Sequence, residues 1–135
     1  MIGAVIITHG VMAEAILEAT ESIAGEVRSV RAVAVKGDDS TEDVRARLDV
    51  AMKEVDSSDG VIIFTDMFGG TPSNIALSLL KEGKVEVITG VNLPLIIKFI
   101  NNRKSSDMPV LAEQLAEYGH KSIVLASHML KGKVK

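Results

Sequence analysis

A histidine and an aspartate each stand directly after an apolar run of the sequence. His9 follows the mostly apolar residues 2–8, and Asp66 follows residues 61–65. An imidazole nitrogen can attack phosphorus, and a carboxylate bonded to the other ring nitrogen sets the tautomer and stabilises the imidazolium that forms. The pair therefore indicates a phosphotransferase with a phosphohistidine intermediate, in which His9 is the nucleophile and Asp66 orients its ring.

A phosphoryl group on His9 would need hydrogen-bond donors close to it. Helices are expected to begin after Gly10 and at Thr71, and the free amides and positive dipole end of a helix suit a phosphate. Two glycines precede Thr71, so the backbone there can approach a ligand closely. We therefore predict phosphate contacts from Gly10, Gly70, Thr71 and Ser73, the last two through their hydroxyls.

The elements that must position these residues are visible as apolar runs that alternate with helical periodicity. Strands are predicted over residues 2–8, 30–35, 61–65 and 85–89. Helices are predicted near residues 13–24, 40–55, 72–81, 92–100 and 109–119. The helix N-caps are expected at Ser40, Thr71, Asn92 and Asp107.

This alternation predicts an α/β fold with three layers and a mostly parallel central sheet, in the strand order 2-1-3-4. Residues 122–126 predict a short C-terminal antiparallel edge strand. We expect one domain over residues 1–135, with a tail that frays over 129–135. Ligands bind such sheets outside the carboxyl ends of the strands, where the strand order reverses. In the predicted order, His9 and Asp66 meet at that point, on strands about 4.8 Å apart.

Composition excludes several classes of function. The 135 residues include 15 basic and 18 acidic side chains, and a net charge of −3 argues against nucleic-acid binding. No cysteine is present, which removes disulfides and thiolate chemistry. No apolar stretch approaches the ~20 residues that span a bilayer, so we expect a cytoplasmic protein without direct membrane insertion. Nucleotide-binding motifs are absent, and Asp38 and Asp39 are expected in a turn without a third ligand, so no cofactor and no metal are expected.

Other interpretations of the same residues remain open. A receiver-like signalling module would be phosphorylated on Asp66, although it would want acidic residues where Thr8 and His9 stand. A metabolite-binding domain would use the same crevice for a phosphorylated ligand without a covalent step. His120 and His128 are expected to be surface residues, and a histidine at a sheet end can also be merely structural.

Three motifs carry a resemblance to a known family. They are I-I-T-H-G at 6–10, F-T-D-M-F-G-G-T-P-S-N at 64–74 and T-G-V-N-L-P at 89–94, at three successive strand ends. With these motifs the chain resembles the IIA component of the mannose, fructose and sorbose class of the bacterial phosphoenolpyruvate-dependent sugar phosphotransferase system. The resemblance covers nearly the whole chain.

The resemblance implies a direction of transfer and two protein partners. A IIA domain takes a phosphoryl group from the histidine-containing phosphocarrier protein HPr onto the residue matched by His9, and passes it to a IIB component during sugar uptake. Asp66 matches the helper aspartate, and Thr71 the hydroxyl residue of the glycine-rich turn. Family members form homodimers in which the final strand, here 122–126, crosses to the partner. The family also includes regulatory domains without a transporter, and a IIA-like subunit for dihydroxyacetone kinase shares the fold.

Overall fold

The computed structural model describes residues 1–131, which alternate strands and helices. The strands are β1 (Gly3–His9), β2 (Val30–Val35), β3 (Val61–Thr65) and β4 (Val85–Thr89). The helices are α1 (Met12–Ala24), α2 (Thr41–Val55), α3 (Thr71–Leu77), α4 (Leu93–Asn102), α5 (Met108–Ser122) and α6 (Ala126–Met129). None of the helices in this described part is long and apolar enough to cross a bilayer.

All four strands are parallel and lie in the order β2-β1-β3-β4, as predicted. β1 is a central strand, with His9 opposite Val35 on one side and Ile7 opposite Thr65 on the other. Helices cover both faces of the sheet, which gives the expected three layers. The strand order reverses between β1 and β3, so the predicted crevice lies at their carboxyl ends.

The core is aliphatic and divides into two clusters, one on each face of the sheet. Alternate residues of β1 face opposite ways, so Ala4 and Ile6 pack with α1, α4 and α5 while Val5 and Ile7 pack with α2 and α3. A strand covered on both faces needs no polar alternation, which explains the unbroken apolar runs in the sequence. Phe64 and Phe99 add an edge-to-face aromatic contact, with ring centroids 5.5 Å apart.

Two of the predicted helix starts are confirmed in atomic detail. The Ser40 hydroxyl accepts a hydrogen bond from the Asp43 amide at 3.1 Å, and Oδ1 of Asn92 accepts one from the Leu95 amide at 3.0 Å. Each side chain satisfies an amide that has no partner within its helix. The cap of α3 differs, because Gly70 occupies the N-cap position instead of Thr71.

The predicted edge strand over residues 122–126 is wrong for the single chain. Helix α5 continues through Gly119 to Ser122, and α6 begins at Ala126, so only residues 123–125 lie between them. Ile123 is 83% exposed although its backbone is extended. Strand propensity takes effect through pairing and packing, and within the described chain this segment pairs with no strand. The tail predicted to fray over 129–135 falls outside the described residues from 132 onward.

Two predicted helix ends are also wrong. α3 ends at Leu77 and not near residue 81, because a turn and an isolated bridge between Lys81 and Val85 begin there. Gly119 lies inside α5, where a Cβ atom would come 3.7 Å from Cδ1 of Leu95. Gly119 therefore lies where α5 packs on α4, and a Cβ atom there would make an ordinary van der Waals contact.

Candidate functional site

The candidate site lies at the carboxyl ends of β1 and β3. His9 is the last residue of β1, and Asp66 follows the last residue of β3. The chain then leaves the two strands toward opposite faces of the sheet, since α1 packs in one core cluster and α3 in the other. This divergence opens a crevice between the strand ends, as parallel sheets do at a switch point.

The predicted contact between His9 and Asp66 is present. Oδ2 of Asp66 lies 2.7 Å from Nδ1 of His9 and also accepts a hydrogen bond from the His9 backbone amide at 3.0 Å. Oδ1 of Asp66 accepts a third bond from the Met67 amide at 3.0 Å. A carboxylate can only accept, so the proton resides on Nδ1 and the lone pair of Nε2 is free.

Burial and hydrogen bonding act in opposite directions on the Asp66 carboxyl. Burial of the side chain, which is 12% exposed, raises its pKa. The backbone amide and ring of His9, together with the Met67 amide, lower it and outweigh burial, so the net pKa of Asp66 is lowered. The carboxylate therefore stays ionised, while the imidazole beside it is 51% exposed and accessible to a reaction partner.

Gly70 brings the backbone against the reactive edge of the imidazole. A Cβ atom at this position would lie 3.2 Å from Cε1 and 3.3 Å from Nε2 of His9. The backbone of Gly70 has φ 87° and ψ 172°, a region that is essentially restricted to glycine. The conformation therefore requires glycine, and a Cβ atom would also press on the His9 ring. The next residue, Thr71, begins α3 in an exposed position.

The structure places the other two predicted phosphate contacts differently. The Gly10 amide donates to the Val35 carbonyl at 2.8 Å, so that donor is already engaged. Ser73 is fully buried, and its hydroxyl oxygen accepts a bond from the Gly69 amide at 3.1 Å. Ser73 therefore holds the glycine turn in shape from beneath.

Thr8 is a positioning residue that the sequence interpretation missed. Its buried hydroxyl accepts a bond from the Ala13 amide at 2.8 Å and donates to the His9 carbonyl at 3.1 Å. The hydroxyl thus connects the end of β1 to the first turn of α1. The sequence offered one sign of this role, since Thr8 is the one polar residue in the otherwise apolar run 2–8.

Exposed apolar side chains flank the site in both of its loops, another feature the sequence interpretation did not identify. Val11 and Met12 follow the β1 end, and Met67 and Phe68 follow Asp66. Phe68 is 74% exposed, which is unusual for a residue of this size. We call these four residues the apolar rim.

The remaining singled-out residues lie in other parts of the fold. Asp39 is in a turn, where the Lys36 amide and Arg47 lower its pKa. His120 is in the last turn of α5, and His128 is in α6. Within residues 1–131, no group of three or more His, Asp and Glu side chains is arranged to hold a metal ion.

The fold and the pair together define a class, namely open parallel α/β domains that present a reactive side chain at the switch point of the sheet. Residues 3–116 match the family model described as the PTS system fructose IIA component. The chain belongs to this family of phosphotransferase system IIA components. Phosphotransfer in the sugar phosphotransferase system is therefore its broad role, and the assignment inferred from the three motifs is confirmed.

Individual relatives and a solved structure agree with the family assignment. The chain is 29% identical over 136 residues to the PTS system fructose-specific EIIA component of Bacillus subtilis (strain 168), covering 100% of this chain and 92% of that protein. It is 30% identical over 116 residues to the PTS system mannose-specific EIIAB component of Escherichia coli (strain K12), covering 85% of this chain and 35% of that protein. The crystal structure of phosphotransferase system component EIIA from Streptococcus agalactiae superposes with a TM-score of 0.84 at 29% identity, covering 95% and 99% of the two chains.

Proposed function

We propose that this protein carries a phosphoryl group on Nε2 of His9, accepting it from HPr and passing it to a IIB component during sugar uptake. The observation that carries the proposal is the 2.7 Å contact between Nδ1 of His9 and Oδ2 of Asp66. This contact directs the free lone pair of an exposed ring away from the carboxylate.

Phosphoryl transfer between the two proteins exchanges one bond from phosphorus to nitrogen for another. The Nε2 lone pair of His9 attacks phosphorus, the bond from phosphorus to the donor's ring nitrogen breaks, and its electron pair returns to the donor ring. The His9 ring becomes positively charged because Nδ1 keeps its proton, and the Asp66 carboxylate stabilises that charge. Transfer to the IIB component reverses the same step with a new acceptor.

The proposed phosphate contacts follow from the approach of Gly70 to Nε2. We assign the amides of Gly70 and Thr71 and the Thr71 hydroxyl as donors to the phosphoryl oxygens. The Gly10 amide is engaged with the Val35 carbonyl and does not contact the phosphate. We therefore assign Gly10 a role in shaping the turn after β1, where its φ is 58°. Ser73 contributes through its hold on the Gly69 amide.

The apolar rim favours proteins, and not small molecules, as the donor and the acceptor of the phosphoryl group. A small phosphorylated donor would be bound by charged groups in a closed pocket, whereas the rim leaves apolar surface exposed around an open ring. Exposed apolar patches of this kind characterise protein-binding surfaces. We propose that HPr and the IIB component use the rim in turn.

We also propose a homodimer, formed through the edge of β4 that does not pair with β3. The free edge of β4 adjoins a groove of about 720 Å³ that is lined mainly by apolar residues of β4, α4 and α5. Ile123, Val124 and Leu125 lie exposed beside it. Exchange of this segment between two chains would cover both the edge and the apolar side chains. A dimer mass in light scattering that becomes a monomer mass in Val124→Lys supports the exchange, and an unchanged mass refutes it.

Phosphorylation of the isolated protein tests the central proposal. With phosphoenolpyruvate, the first enzyme of the system and HPr, the protein should acquire a phosphoryl group that is acid-labile and alkali-stable. His9→Ala should abolish labelling, while His120→Ala and His128→Ala should label normally. Added IIB component should remove the label. Equal labelling of His9→Ala would refute the proposal, and an alkali-labile label lost in Asp66→Asn would instead identify an aspartyl phosphate.

A further inference from the structure

A buried arginine without a hydrogen-bonding partner lies at the other end of the sheet from His9. Arg103 follows the last turn of α4 and is 6% exposed. Among the described residues its side chain makes no hydrogen bond and no ion pair, and its Nη1 atom is fully buried without a partner. Its guanidinium lies 5.6 Å from the Phe99 ring centroid, a contact that satisfies none of its N–H donors.

A buried guanidinium is unfavourable unless a bound group accepts its hydrogen bonds. A guanidinium stays protonated, so it cannot escape burial by becoming neutral. Burial alone lowers the pKa of Arg103, and no opposing interaction accompanies it. Buried charges in proteins are paired or hydrogen-bonded, because an uncompensated one is strongly destabilising.

Arg103 lines an open cleft of about 960 Å³ at the amino ends of the strands, which we call the amino-end cleft. Its other walls are the start of β1, the turn before β3 and the segment that joins α4 to α5. Lys104, Ser105 and Ser106 belong to that segment, and they add one cation and two hydroxyls. A cleft of this size lies within the range of small-molecule sites.

The N-terminus of α5 points to the same place independently. The first turn of this 15-residue helix, through Val110, also lines the cleft. Its N-cap residue, Asp107, makes no side-chain cap bond, and Pro109 has no N–H, so the Met108 and Val110 amides are satisfied by no side chain of the described residues. Those amides and the positive end of the helix dipole favour an anion.

Two carboxylates also line the cleft and bear on its charge. Asp59 is paired with the amino group of Met1, so its charge is offset. The Asp107 carboxylate makes no hydrogen bond or ion pair among the described residues. Arg103 and Lys104 therefore face one uncompensated carboxylate, which leaves a net positive charge before the helix dipole is counted.

We propose that the amino-end cleft binds a phosphate group, with the Arg103 guanidinium as its main partner and Lys104 and the amides of Met108 and Val110 as further donors. A phosphate can be dianionic and accepts a bidentate pair from a guanidinium, which matches the donors present. The volume of the cleft exceeds that of a bare phosphate, so the cleft accommodates a phosphorylated small molecule. Because it lies at the opposite end of the strands from His9, its occupant leaves the phosphotransfer site open.

Titration calorimetry and thermal unfolding test the site with inorganic phosphate and glycerol 3-phosphate, at ionic strength matched with sodium chloride. Both anions should raise the melting temperature of the native protein, and Arg103→Met should weaken binding by about tenfold or more. Arg28→Met removes an exposed arginine that forms no ion pair within residues 1–131. This variant and His9→Ala should bind as the native protein does. Tighter binding of glycerol 3-phosphate identifies a phosphorylated metabolite, and equal affinity identifies inorganic phosphate.

Three further results separate this site from its rivals. Amide shifts at Ser105, Ser106 and Met108 place the phosphate in the cleft, whereas shifts confined to Gly70 and Thr71 overturn the proposal. Asp107→Asn should tighten binding, and weaker binding would show that Asp107 belongs to a different arrangement and refute the site. Arg103→Lys keeps the charge without the bidentate geometry. It should bind more weakly than the native protein, and unchanged affinity in a folded Arg103→Lys or Arg103→Met protein also refutes the site.

Discussion

Oδ2 of Asp66 holds His9 by two hydrogen bonds, one from the backbone amide at 3.0 Å and one from ring Nδ1 at 2.7 Å. The backbone bond joins the end of β1 to the residue after β3, and the ring bond aligns the imidazole with that fixed point. One carboxylate oxygen therefore links the position of the ring to the position of the strand.

Asp66→Asn should keep the fold yet slow phosphotransfer from HPr by roughly 10²-fold or more. An amide can donate to Nδ1, which would place the proton on Nε2 and block the nucleophile. The rate is measured by rapid quench with labelled HPr. Asp56→Asn, which alters an exposed carboxylate at the end of α2, should leave the rate unchanged. A native rate in Asp66→Asn would remove Asp66 from the mechanism.

Gly70→Ala should slow phosphotransfer by about 10²-fold, because its methyl group would press on the ring at Cε1 and Nε2. Gly69→Ala is the matched control. Gly69 also has a positive φ, at 97°, but a Cβ atom there meets nothing within 4 Å. Both variants should lose about 1–3 kcal/mol of unfolding free energy, measured in urea, and only Gly70→Ala should show the large loss of rate. Equal rates in the two variants would contradict the role given to the close approach.

Thr8→Val should destabilise the protein by about 1–3 kcal/mol, because it leaves the buried Ala13 amide without an acceptor. Thr20→Val is the comparison, since Thr20 is equally buried but only donates to the Ile16 carbonyl. That carbonyl still accepts its helical bond, so the loss should be much smaller. Urea unfolding of the two variants measures the difference, and a similar loss in both would show that the connection from β1 to α1 adds nothing.

Acid should remove the stability that Asp66 provides. The folded pKa of Asp66 is lowered, so its contribution is full above the unfolded value of about 3.9 and is lost as pH falls through the folded value. The gap in unfolding free energy between the native protein and Asp66→Asn should therefore shrink below about pH 4. Urea unfolding at a series of pH values measures the gap, and a gap that stays constant through this range would show that the ionised carboxylate adds no stability.

Most of the sheet and the central pair of the site could be predicted from the sequence. The runs that end at His9 and Asp66 are local patterns, and a parallel strand covered on both faces must be apolar throughout. Once the four alternations were visible, the known handedness and switch-point rules left few arrangements. The strand order and the contact between His9 and Asp66 followed from those rules, although the two residues are 57 positions apart.

Other features could not be predicted because they depend on what lies nearby in space. Residues 122–126 have the composition of a strand, but α5 extends to Ser122, and within the described chain the segment pairs with no strand. Gly119 resembled a helix stop, yet it lies in α5 against α4. Ser73 looked like a phosphate donor, but burial turns its hydroxyl toward the Gly69 amide.

The sequence alone was sufficient to predict the α/β class and to place His9 and Asp66 together at neighbouring strand ends, because these depend on residue type and local periodicity. The folded chain was needed to show that Nε2 is the free nitrogen, that the Gly70 backbone lies against it and that, within residues 1–131, the Arg103 side chain is buried without a partner. Those facts depend on distances and solvent exclusion between segments far apart in the chain, and no local pattern encodes them.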